Sequence, residues 1–288
     1  MRRPTLTTLI LAGFAVASAA RAADAPPDRS AWSVFDSTPV DQMRALCTDR
    51  PTKSTSPCTV DAGHIQIESD LFNVTGDRSG GVNTTTWIGP NPTVKLGLTD
   101  SVDVELSWAP YVSVLAVDRA SGARTRQSGV GDVYLKAKWS LVGTNGGAIA
   151  FGLSPYVKLP TASSGIGNGA VEAGLIAPVN INLPAGFSLV IDPEVDLLKD
   201  AAGDGRHLNT SGLLSLSRGV SKTLTASAEI WTDTNFDPLG STTQVSADLG
   251  LAFVPPTAPN WQWDGGVNLG LNRGTPAAQA YLGVSRRF

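Results

Sequence analysis

The sequence predicts an all-β chain: an antiparallel transmembrane β-barrel of about 12 strands, closed, with both termini periplasmic. Three observations predict it. The chain begins like an exported protein, it alternates with period two from Thr59 to Phe288, and it ends on an aromatic residue.

At the start, Arg2 and Arg3 precede an apolar run from Leu6 to Ala17, which Ala20-Arg21-Ala22 closes with small residues. This is the layout of a secretory signal peptide cut before about Ala23. The run is shorter than the roughly 20 apolar residues of a membrane-spanning helix. The expected organisation is therefore a signal peptide over 1–22, a periplasmic extension over 23–58 and the barrel over 59–288. No later stretch is continuously apolar over the roughly 20 residues a helical span needs, so a helical membrane protein is not expected. The 30 glycines, 19 prolines and 16% charged residues suit a barrel that alternates apolar and polar positions. A net charge of −3 argues against a nucleic-acid partner.

The extension is polar and punctuated by proline. Its Cys47 and Cys58 are the only cysteines, and an oxidising periplasm is expected to join them. Closing such a loop contributes about 3 kcal/mol in the chain-entropy model. A metal site or redox pair is the rival, but no histidine or third cysteine lies at ligand spacing. One helix is expected here, with Thr38 as cap, Pro39 and Asp41 in the first turn, and Val40, Met43 and Leu46 on one face.

The strands follow in order. Ile65, Ile67 and Leu71 alternate with Gln66, Glu68 and Asp70. Val94, Leu96 and Leu98 alternate with Thr93, Lys95 and Gly97, and Val102, Val104, Leu106 and Trp108 with Asp103, Glu105 and Ser107. The fourth segment is the strictest, with Val133, Leu135, Ala137, Trp139 and Leu141 opposite Asp132, Tyr134, Lys136, Lys138 and Ser140. Further strands are expected from Ile149 to Leu159, about Asn168 to Leu183, Phe187 to Leu197, and about Leu208 to Ser217, the weakest signal. Leu224 to Ile230, Val245 to Phe253, Trp263 to Leu271, and about Ala277 to Phe288 complete the set.

The connections test this count independently. Every second one is short: 99–101, 143–147, 184–186, 219–221 and 254–260. Those around 76–80, 118–129, 161–167, 200–206 and 235–240 are longer and more polar, as extracellular loops are. Only the connection near 273–275 breaks the trend. Trp139, Phe187, Phe253, Trp263 and Phe288 fall near the periplasmic strand ends with outward parity, where an interfacial girdle belongs. A terminal aromatic on an alternating last strand resembles the signal by which the barrel-assembly machinery recognises its substrates, so Phe288 is the expected contact.

Two stretches are similar to the transporter-like outer-membrane barrels named for the meta-pathway of phenol degradation. One runs from Pro57 to Glu68 (PCTVDAGHIQIE); the other, from Gly129 to Lys138 (GVGDVYLKAK), is a Gly-x-Gly-Asp turn feeding the fourth strand. Leu159-Pro160-Thr161 and Gly167-Asn168-Gly169 extend the similarity over the whole barrel. The resemblance implies a transporter in the cell outer membrane that passes a small solute, hydrophobic or aromatic molecules included. It transfers no binding residues.

Parity places His64, Glu68, Asp70, Lys95, Asp103, Glu105, Asp132, Lys136, Lys138, Lys158, Glu172, Asp192, Glu194, Asp196, Glu229 and Asp248 on the channel-lining face. Acids outnumber bases there. One reading is a hydrated passage with a mild preference for cations or polar solutes; the other is a structural or adhesive barrel whose charges pair across strands and plug it. A third is a soluble periplasmic β-protein, which requires protein to cover the Val133 and Leu135 face. The loops at 118–129 and 161–167 are the candidate gates of a monomeric channel. Catalysis is not expected: only His64 and His207 are available, no Gly-x-Ser-x-Gly elbow exists, and Gly129-Val130-Gly131 precedes no helix. The expected partners are outer-membrane lipid and a small-molecule solute, with no cofactor and no metal.

Overall fold

The computed structural model describes residues 28–288. The expected signal peptide lies outside the described residues. Sixteen strand segments form one antiparallel sheet: β1 (Ile65–Asp77), β2 (Val82–Ile88), β3 (Asn91–Gly97), β4 (Val102–Ser107), β5 (Val112–Asp118), β6 (Arg124–Gly129), β7 (Val133–Val142), β8 (Ile149–Leu159), β9 (Glu172–Ile176), β10 (Val179–Asn182), β11 (Phe187–Lys199), β12 (Arg206–Gly219), β13 (Leu224–Asn235), β14 (Thr242–Phe253), β15 (Trp261–Gly270) and β16 (Ala278–Arg287). In four places two segments run on as one stave: β2 with β3, β4 with β5, β6 with β7, and β9 with β10. That leaves the expected twelve staves. β16 pairs with β1 from Gln66↔Arg287 to Gly76↔Ala278, which closes the barrel.

Alternation sets the two faces as it does in any half-buried strand, but with polarity reversed relative to a soluble core. On β14, Asp248 is 2% exposed while its neighbour Leu249 is 56% exposed. Leu135, 41% exposed, is covered by no protein, which removes the soluble reading. Trp139, Phe253, Trp263 and Phe288 are exposed outside, toward the end where residues 28–46 and 59–64 also lie, here the terminal end.

The wall is creased on one side. Leu71 interrupts the register of β1, and Gly89-Pro90, residues 108–111 and residues 130–132 separate the paired segments of the next three staves. The registers Asn73↔Ile88, Ile88↔Val112 and Val112↔Gly129 put these breaks at one level. Each break spans an odd step, so the inward face moves from Lys95 in β3 to Ile88 in β2, and a single alternation cannot describe the stave.

Three expectations change. Residues 118–129 are mostly strand, with only 119–123 left as the turn of a β5–β6 hairpin that projects beyond the crease. The candidate gate at 161–167 is tied to the wall: Ser163 N donates to Val130 O (3.0 Å) and Ala162 N to Asp132 Oδ1 (2.8 Å). The expected helix is a single 3₁₀ turn, Val40–Gln42. Thr38 makes no capping bond, Met43 is already extended, and Arg44 is pulled away by its N–H and guanidinium bonds to Asp61.

Candidate functional site

Cys47 and Cys58 form a disulfide, and the loop they close lies inside the barrel. A segment bonded to inward-facing groups on opposite walls can be nowhere else. Asp49 accepts from Lys138 Nζ (2.9 Å) on β7 and Lys95 Nζ (2.5 Å) on β3, and its own N–H donates to Glu68 Oε2 (3.1 Å) on β1. Arg50 bridges Asp70 (2.6 Å) on β1 and Asp264 (2.7 Å) on β15. Lys53 Nζ reaches Asp248 (2.9 Å) on β14 and sits 4.3 Å from the centre of the Trp231 ring, while its N–H donates to Glu229 Oε2 (3.0 Å) on β13. Thr55 N donates to Asp192 Oδ2 (2.6 Å) on β11, and Tyr281 Oη on β16 donates to Pro51 O (2.6 Å).

The wall is shaped to receive this plug. A Cβ at Gly283 would collide with the Arg50 guanidinium, and one at Gly250 would lie 2.8 Å from Pro51 Cγ. At the terminal rim the chain before the loop is pinned around Asp61, 1% exposed, which accepts from Arg29 (2.5 Å), Arg44 (3.0 Å) and Arg287 (2.7 Å). Arg29 also reaches Asp100 (2.8 Å), and Val60 N donates to Asp103 Oδ2 (2.9 Å). Burying these ions is tolerable because each lysine and arginine has a carboxylate partner, while Asp103, Asp192 and Glu229 accept backbone N–H bonds from the N-terminal segment. Burial alone would raise the Asp49 carboxyl; Lys138 and Lys95 outweigh it and hold that group far below the ordinary carboxylate range.

The expected lumen residues thus divide by partner. Glu68, Asp70, Lys95, Asp103, Asp192, Glu229, Asp248 and Lys138 bond the N-terminal segment directly, as above. Glu105 joins the same cluster through Lys138 (3.2 Å) and Lys136 (3.6 Å). Nearer the far end, Lys158 draws together Glu172 (2.7 Å), Asp132 (3.4 Å) and Asn168 (2.6 Å), which closes the base of the 160–171 loop. Asp196 accepts from Tyr156 Oη (2.7 Å) and Asn209 Nδ2 (3.0 Å), and Glu194 from Ser211 Oγ (3.2 Å). His64 is at the rim, bonded to Phe288 O (2.8 Å) and Thr38 O (2.7 Å). Sequence reasoning missed Asp49, Arg50, Lys53, Asp61 and Asp264. The available signal was a charged triplet inside a disulfide loop just before the first strand.

The plug does not fill the barrel evenly. On the β12–β16 side three cavities of about 220, 170 and 200 Å³ succeed one another from the far side to the terminal side. The first two share Lys53, Asn268 and Gln279, and the second and third share Arg50, Pro51 and Thr52. The last is walled by Ser188, Ser215, Ser217, Thr225 and Ser227.

These features define a class, a closed membrane barrel of twelve staves crossed internally by its own disulfide loop. The chain belongs to the family described as “Putative MetA-pathway of phenol degradation”, whose model matches residues 48–288 and so takes in both the plug and the barrel. No curated protein matches it. Among solved structures it is similar to the COG4313 outer membrane channel from Pseudomonas putida F1, at 14% identity and TM-score 0.62, over 84% of this chain and 100% of that one. It also resembles the transport unit of the autotransporter AIDA-I from Escherichia coli, at 13% identity and TM-score 0.51, over 84% and 92%. The CymD monoaromatic hydrocarbon channel, at 12% identity and TM-score 0.42 over 78% and 87%, is too distant to argue from. The likenesses establish the fold, and with its apolar outer face the chain is an outer-membrane β-barrel.

Proposed function

We propose that the barrel passes a small solute across the outer membrane, along the β12–β16 side of its plug and with both termini periplasmic. The observation that carries this reading is the succession of three cavities with shared walls past Arg50, Pro51 and Thr52. The track is lined by serine hydroxyls and the amides of Asn268 and Gln279, and its charged members Arg50, Lys53 and Asp70 are already engaged in ion pairs, so a passing solute exchanges hydrogen bonds without being held, as conduction requires. The family description supports an aromatic solute, and Trp231 and Tyr281 offer rings beside the track. In this reading the protein is a channel and not an enzyme, and its ionised groups hold the plug and bias the lumen toward cations.

Reconstitution into planar bilayers and liposomes tests the proposal. Conductance, with uptake of phenol and of neutral small solutes, is the expected outcome. Silence in both assays sinks it and leaves a structural or adhesive barrel, the reading favoured by the completeness of the ion pairing around Asp49.

A further inference from the structure

At the far end, two neighbouring turns carry a group of side chains that the channel reading does not use. Asp200 and His207 flank the β11–β12 turn, and Asp237 lies in the β13–β14 turn. One ligand atom from each falls within 4.8 Å of the others. The His207 ring is more than nine-tenths buried, its Nδ1 lies 2.9 Å from Asp200 Oδ1 and 3.7 Å from Asp237 Oδ2, and its Nε2 finds no partner in the protein.

The turns hold both carboxylates in place. Asp237 accepts from Ala201 N (2.7 Å) on the neighbouring turn and from Leu239 N (2.8 Å) on its own. The Asp200 carboxylate packs where a Cβ at residue 205 would stand, so Gly205 is required there. Among the described residues neither acid is paired with a lysine or arginine, unlike Asp49, Asp61 or Asp70. A neutral ring has one N–H to offer at Nδ1, and two carboxylates converge on it. The nearer, Asp200, accepts from it; the farther, Asp237, is beyond hydrogen-bond reach.

We propose that Asp200, His207 and Asp237 bind one first-row divalent cation, Zn²⁺ being the best fit, which replaces the Nδ1 proton and engages both carboxylates. One imidazole nitrogen and two carboxylate oxygens are the donor set such ions favour, with water completing the coordination. Calcium is the poorer fit because it selects oxygen ligands alone. Since the ligands come from two hairpins, the cation staples the outer turns 200–205 and 236–241.

The test uses the mature protein in detergent, without a histidine tag, stripped by chelator and titrated calorimetrically with Zn²⁺. One equivalent should bind saturably, and His207→Gln and Asp237→Asn should each weaken binding by about tenfold or more, with heat-modifiable gel mobility showing that both variants remain folded. Zn²⁺ should also slow tryptic cleavage at Lys199 and Arg206, which flank the turn, in the unmutated protein; this decides the matter if a variant fails to fold. No saturable binding, affinity unchanged in both variants, absence of protection, or preference for Ca²⁺ over Zn²⁺ would each overturn the proposal.

Discussion

The two sides of this barrel do different work. On the creased side, β1, β3, β4 and β7 meet the plug with ions: Glu68, Lys95, Glu105 and Lys138 close around Asp49. On the smooth side Asp192, Glu229, Asp248 and Asp264 also bond the loop, but hydroxyls and amides line the wall between them and leave a cavity beside Thr52, Ser54 and Ser56. The contrast teaches that one loop both fastens and leaves a way past itself. Charges fasten the loop on both sides, but those beside the gap are held in ion pairs, and the barrel wall of the terminal-side cavity is neutral.

Breaking the fastened side should have the largest effect. Asp49→Asn leaves Lys95 and Lys138, 3% and 1% exposed, to Glu68 and Glu105 alone; because they keep these partners, the cost should fall at or below the ~3–5 kcal/mol of breaking a buried ion pair outright. We expect a lower thermal midpoint and a larger, noisier conductance than in the unmutated channel, measured in planar bilayers. An unchanged current would show that the Asp49 cluster does not hold the plug in place. Next in size is the disulfide. Cys47→Ser with Cys58→Ser releases a loop whose closure contributes about 3 kcal/mol, so urea unfolding should shift accordingly and current fluctuations should grow. Reduction of the unmutated protein by dithiothreitol should reproduce both changes.

The smooth side should respond in the opposite way. Ser217→Trp fills the cavity on the terminal side of the plug. It should lower conductance and solute uptake while costing at most about 1–3 kcal/mol for overpacking. If current is unaffected while Asp49→Asn changes it, the passage runs elsewhere and the functional division of the two sides fails.

How much of this was legible in the sequence also differs between the sides. β11 to β16 keep one unbroken alternation, so Asp192, Glu229 and Asp248 could be assigned a face from parity alone. On the creased side the alternation slips by an odd step, and Gly89-Pro90 reads as the end of a strand when it is only the break between β3 and β2. β6, Arg-Thr-Arg-Gln-Ser-Gly, has no apolar face because it projects beyond the crease, and polarity made it read as loop. The disulfide was legible from compartment and cysteine count. The plug was not: Arg50 meets Asp264 across 214 positions of sequence, and no periodicity reports a contact between an irregular loop and a distant strand.

The smallest expected effect concerns acid. Because Lys138 and Lys95 hold the Asp49 carboxyl below its ordinary value of 3.8, its contribution to stability is fully present above that value. It is lost only as pH falls through the lower folded value, where protons begin to compete with the lysines. The difference in thermal midpoint between the unmutated protein and Asp49→Asn should therefore stay constant from neutral pH to about pH 5 and shrink only in stronger acid. A difference that already collapsed in mild acid would mean that the lysines do not depress Asp49, and that the charged side of the plug is looser than its short contacts indicate.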